Sequence, residues 1–117
     1  MPASWCRVAA VTALEAGTVT PVQAAGRDLA LASTQEGIFA FADRCTHAET
    51  RMSEGRLRAC RIICPLHGAS FDVRDGRVLG GPASRPLDTY PVRISGGYVE
   101  VLLPDPGATP AGGTVVR

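Results

Sequence analysis

"CPLHGASFDVRDG", residues 64–76, carries three signals in one stretch. Cys64-Pro65-Leu66-His67 sets a thiol and an imidazole on a segment that Pro65 and Gly68 keep irregular. Ser70 to Val73 then reads as a strand. Asp75-Gly76 is a two-residue hairpin signal that returns the chain through Arg77 to Leu79. Two metal-type donors mounted on a hairpin raise one question: does the rest of the chain supply a matching pair?

It does, upstream, in Cys45-Thr46-His47. The chain has only 2 histidines and 4 cysteines, so both imidazoles follow a cysteine by two or three positions, with 16 residues, Ala48 to Ile63, between the motifs. Two thiolates and two imidazoles suit tetrahedral zinc or an iron–sulfur cluster. Zinc fingers usually place two cysteines in one knuckle and two histidines in the other. Here each loop supplies one of each, which favours a [2Fe–2S] rhombus whose two cysteines hold one iron and two histidines the other. Cys6 and Cys60 stand outside the pattern and read as buried or half-buried free thiols.

Around these loops the chain reads as short strands separated by turn signals. Trp5 to Ala10 is a first strand; Thr18 to Ala24 and Asp28 to Ala32 flank an Ala25-Gly26-Arg27 turn; Ile38 to Ala42 follows Gln35-Glu36-Gly37. Pro91 to Ile94 and Tyr98 to Leu103 enclose Ser95-Gly96-Gly97. Only "VTALEAG", from Val11, offers a helical turn. This pattern predicts an all-β antiparallel sandwich or barrel. Three stretches break the rhythm: Arg44 to Gly55, Cys64 to Ala69 and Gly80 to Pro86. The two Cys/His pairs lie on the first two, as expected of ligands on loops held by a rigid sheet.

A chain of 117 residues, 45% hydrophobic, supports one core without a disulfide scaffold. We expect a single domain over residues 1–103, its cluster-binding part at about 43–86, and a Pro/Gly-rich tail over 104–117. All 12 basic residues are arginine, and the net charge of +1 argues against nucleic acid or an anionic membrane as partner. The N-terminus lacks the basic start and apolar run of a secretory signal, and no stretch approaches a membrane span of about 20 apolar residues. We expect a cytoplasmic protein, where clustered cysteines bind metal or do redox work.

Cys45-Thr46-His47 with Cys64-Pro65-Leu66-His67-Gly68 resembles the Rieske iron–sulfur signature, Cys-x-His and Cys-Pro-x-His-Gly. The resemblance runs from Ile38 to Leu103; the front third matches only in strand rhythm. It implies a Rieske-like fold with a subdomain of two cluster-binding loops and one [2Fe–2S] cluster, held by Cys45 and Cys64 on the inner iron and by His47 and His67 on the outer. Gly81 and Pro82 match the family's proline loop, and Gly68 fits a place where backbone approaches the cluster closely.

The closest resemblance is to the small Rieske ferredoxins of bacterial aromatic-ring-hydroxylating dioxygenase systems. These carry single electrons from an NADH-dependent flavin reductase to a terminal oxygenase and are not themselves enzymes. The resemblance implies transient docking of both partners near His47 and His67, with Glu49, Arg51 and Pro82 at the rim. High-potential Rieske proteins carry a disulfide across the loops and hydroxyls near the sulfurs. The matching positions here are Thr50 and Leu66, and Ala69 and Phe71, which implies a potential at the low end of about −150 to +300 mV. Strand alternation turns Ser70 away. The alternatives are a component of another oxygenase or of a nitrite-reductase system, whose relatives often lack the ligands, and a structural zinc module that binds proteins.

Overall fold

The computed structural model describes residues 3–46, 50–66, 68–81 and 85–104. His47, Glu49, His67, Pro82 and the tail from residue 105 onward lie outside the described residues. The described chain forms β1 (Ala3–Ala10), β2 (Val19–Ala24), β3 (Arg27–Thr34), β4 (Gly37–Ala42), β5 (Arg56–Arg58), β6 (Arg61–Ile63), β7 (Ser70–Asp72), β8 (Val78–Gly80), β9 (Thr89–Tyr90), β10 (Val92–Ser95) and β11 (Tyr98–Pro104). All pairings among them are antiparallel, in three sheets ordered β1-β11-β10, β2-β3-β4-β9 and β5-β6-β7-β8. The all-β expectation holds.

Two hairpins fold as their sequences dictate. The Gly96-Gly97 turn has φ of 59° and 84°, and the Ala25-Gly26 turn 51° and 75°. Two successive positive φ angles match the right-handed twist of the flanking strands. The β7–β8 hairpin differs from its expected form. Instead of a two-residue Asp75-Gly76 turn, the Asp72 amide bonds to the Arg77 carbonyl (2.9 Å) and the Gly76 amide to the Asp72 carbonyl (2.6 Å), so four residues make the loop. The tip is shaped by a tertiary contact: a Cβ on Gly76 would sit 2.2 Å from the Leu87 carbonyl oxygen.

The middle sheet is packed on both faces. Leu29, Leu31 and Ala40 meet Val99, Val101 and Leu103 of the β1-β11-β10 sheet in one core. Ala30, Ala32 and Phe41 point the other way, into a second core with Met52, Ile62, Phe71, Val73, Cys45 and Cys64. Hence Leu29 to Ala32 are all buried, the mark of a strand covered on both sides. The first core is a base; the second belongs to the lobe that carries the cysteines.

Several expectations need correcting. β5 and β6 occupy a stretch where no strand was foreseen, and β9 is likewise new. Pro104, assigned to the tail, ends β11 and pairs with Ala3. The irregular Arg44–Gly55 stretch contains a 3-10 turn, Met52–Glu54, whose Met52 is fully buried. The turn anticipated near Val11 is also 3-10, spanning Val11–Ala13.

Candidate metal centre

Cys45 leaves β4 on a loop whose base is clamped by a buried carboxylate. Along β4, Phe41 faces the lobe core, and alternation puts Asp43 on the same side with its side chain wholly buried. Its carboxylate accepts hydrogen bonds from the Ser53 amide (2.6 Å), the Ser53 hydroxyl (2.6 Å) and Arg51 Nη1 (3.3 Å). One turn further in, the Cys45 amide donates to the Thr50 carbonyl at 2.9 Å. These bonds satisfy a charge that would otherwise be costly to bury. They also fix where Cys45 points.

Cys64 follows β6 directly and is pinned in the same way, its amide donating to the Ala69 carbonyl at 2.7 Å. The Leu66 amide donates to Cys64 Sγ at 3.4 Å, an orientation that favours a thiolate. A third loop closes over both. The Thr46 hydroxyl donates to the Arg85 carbonyl (2.8 Å), and Gly81, at φ 85°, lies so close that a Cβ there would be 2.5 Å from Ala69 Cα. Gly81 is therefore the glycine required by close approach. Gly68 is required for its φ of 72°, while a Cβ on it would meet no protein atom within 4 Å.

The two predicted cysteines come together. Both are buried, neither forms a disulfide, and each thiol is the other's neighbour. Burial pushes the Cys64 thiol up to about 11, opposed by the Leu66 amide and reinforced by the Cys45 side chain. A thiol pair this buried becomes a thiolate pair only with a cation between them, so the donor chemistry fits a metal centre. No group of three or more His, Cys, Asp or Glu side chains gathers among the described residues, which do not include His47 or His67. Leu66 and Gly68, which flank His67 in sequence, are exposed, while Cys64 is buried.

The residues read as setting the potential have defined places. Ala69 and Phe71 lie in the lobe core beside Cys64 and offer no hydroxyl. Ser70 faces the opposite side of its sheet, its hydroxyl bonded to Arg61 Nη1 at 3.3 Å. Thr50 and Leu66 contribute backbone bonds where a disulfide would otherwise lie. Arg51, expected at a docking rim, is tied to Asp43 and to Asp28 (3.7 Å) and serves the loop itself. Cys6 and Cys60 are free, half-buried and buried respectively. Sequence reasoning missed Asp43, although an acid continuing the apolar face of β4 was the available signal.

A model of the Rieske [2Fe–2S] domain matches residues 4–91. The ferredoxin component of a naphthalene 1,2-dioxygenase system from Pseudomonas aeruginosa is 39% identical, over 88% of this chain and 99% of that protein. Among solved structures, a ferredoxin of Sphingomonas yanoikuyae B1 superimposes with a TM-score of 0.79 at 30% identity, covering 84% of this chain and 97% of that one. A chain in the complex of reduced oxygenase and oxidized ferredoxin in carbazole 1,9a-dioxygenase gives 0.78 at 34% identity, covering 83% and 91%. The likeness thus extends through the front third, beyond the Ile38 start read from the motifs.

Proposed function

This chain belongs to the Rieske [2Fe–2S] domain family, and we propose that it carries single electrons from an NADH-dependent flavin reductase to a terminal oxygenase that hydroxylates aromatic rings. It is a Rieske-type ferredoxin, an electron carrier rather than a catalyst, with one cluster of that type. The proposed ligands are Cys45 and Cys64 for one iron and His47 and His67 for the other. When bound, the cluster supplies a reversible one-electron couple at a potential the protein sets through ligand charge and hydrogen bonding.

The protein's own residues do the rest. Asp43 and the Thr50 carbonyl hold the first loop, and the Ala69 carbonyl holds the second. The Leu66 amide steadies the Cys64 sulfur, and Gly81 brings the third loop down to exclude water. The observation that carries this reading is the meeting of two buried thiols from separate loops at the base of one lobe. Oxygenases of the family need a second iron bound by two histidines and a carboxylate, and the 2 histidines here are already committed. No helix among the described residues is long and apolar enough to cross a membrane.

Reconstitution tests this directly. Purified protein should be red-brown, contain iron and acid-labile sulfide, and restore NADH-driven hydroxylation to a reductase and oxygenase that lack a carrier. A colourless protein with stoichiometric zinc would establish the structural-module alternative instead.

A further inference from the structure

The outer face of the lobe sheet, away from its core, is lined with guanidinium groups. Alternation in β5 and β6 sends Leu57 and Ile62 inward and Arg56, Arg58 and Arg61 outward, all three exposed. Arg58 and Arg61 are direct cross-strand partners. Like charges in that relation destabilise a sheet. Asp72, the acid across from Arg61 on β7, is already engaged by Arg74 Nη2 at 2.8 Å and Arg77 Nη2 at 3.5 Å. Among the described residues, Arg61 bonds the Ser70 hydroxyl alone, and no carboxylate pairs with Arg56 or Arg58.

The other long-strand face shows what neutralisation looks like in this protein. On the β1-β11-β10 sheet, Arg7 stacks on Tyr98 and Arg93 on Trp5, with Glu100 between them at 3.9 Å and 2.7 Å. Both arginines there share a carboxylate partner, and each lies on an aromatic face. Arg56, Arg58 and Arg61 have no carboxylate partner among the described residues, although the chain as a whole is nearly neutral at +1. Arg56 pairs with Ile63, the residue before Cys64, while Arg58 and Arg61 lie at the other end of the same two strands, so the charge runs along the outer face of the sheet from the end that leads into Cys64.

We propose that Arg56, Arg58 and Arg61 form a docking surface for a carboxylate-rich patch on the terminal oxygenase, and that the chain retains an unfavourable Arg58–Arg61 pair for that purpose. The inference rests on the carrier reading above and names the chemistry of its partner. Charge complementarity raises the encounter rate and orients the approach. β5 is an edge strand, where charges also discourage pairing with another chain. That role accounts for Arg56 and Arg58 but does not apply to Arg61, which lies on an inner strand.

The experiment compares wild type, Arg58→Glu and Arg7→Glu, two reversals with the same change in net charge on different sheets. Stopped-flow oxidation of each reduced protein by the terminal oxygenase of the Pseudomonas aeruginosa naphthalene system is followed across a salt series. We expect Arg58→Glu to be about tenfold slower at low salt, with the gap closing as salt rises, and Arg7→Glu to follow wild type. Midpoint potential and EPR spectrum should be equal in all three, and Arg58→Glu should unfold at a higher temperature because it faces Arg61. An Arg58→Glu protein with wild-type rate and salt dependence would overturn the proposal and leave only an edge guard. Retention of wild type but not Arg58→Glu on duplex DNA at physiological salt would assign the face to nucleic acid and overturn it too. A wild type without the Rieske EPR spectrum would overturn both this and the carrier reading.

Discussion

The two halves of this molecule are built from the same sheet by different means. The base uses β1 and β3 of eight residues and β11 of seven, and its core of Leu29, Leu31, Val99, Val101 and Leu103 is purely aliphatic apart from small residues. The lobe uses four strands of three residues each and three loops, with three buried thiols, Cys45, Cys60 and Cys64, inside its core. Strands so short bury little surface per residue ordered. The base core is apolar throughout, whereas the lobe core sets the thiols of Cys45 and Cys64 among its apolar side chains, so metal loss is expected to loosen the lobe more than the base.

The largest effect should come from removing the metal. Cys64→Ser, or chelation under reducing conditions, should abolish the redox spectrum and leave amides of β5 to β8 exchanging with solvent while those of β3 and β11 stay protected. Uniform protection in the metal-free protein would erase the distinction between the halves. Next in size is Leu31→Ala in the base, which should cost about 2–5 kcal/mol of stability in a denaturant titration. Its midpoint potential should not move, because Leu31 faces away from the lobe.

A smaller effect concerns acid. The Arg74 guanidinium holds the Asp72 carboxyl below the usual carboxylate range, against an opposing contribution from burial. A depressed folded pKa contributes stability above the unfolded value of about 3.9, and that stability is lost as pH falls through the lower, folded value. Arg74 also reaches Glu36 in the β3–β4 turn at 3.1 Å, so this network joins lobe to base. Urea midpoints at pH 7 and pH 3 should differ less in Asp72→Asn than in wild type; an identical acid slope would remove Asp72 from the linkage. The smallest effect is electronic. Ala69→Ser should raise the midpoint potential, by a hydroxyl donated toward sulfur as negative charge develops there. An unchanged or lowered value in voltammetry would show that position 69 does not reach the sulfurs.

The halves also differed in how legibly the sequence announced them. The base hairpins were plain because Ala25-Gly26 and Gly96-Gly97 carry their own geometry. The lobe was legible in its chemistry and obscure in its architecture. The meeting of Cys45 and Cys64 could be expected from spacing, but β5 and β6 could not, since "RLRACRII" turns at Ala59, a non-glycine residue at φ 52°. The Gly76 turn was misread because its shape is set by Leu87, eleven residues on, and the Asp43 clamp because Ser53 lies ten residues away. Signals carried by one turn were visible; those created when loops meet were not.

The central claim is that two loops each lend a sulfur and a nitrogen to one cluster. Pulsed EPR on the reduced protein, with histidine nitrogens labelled with ¹⁵N, tests it most directly. The account predicts two strongly coupled histidine nitrogens, one lost in His47→Ala and the other in His67→Ala. A reduced-state spectrum with no histidine nitrogen coupled to the iron would contradict it.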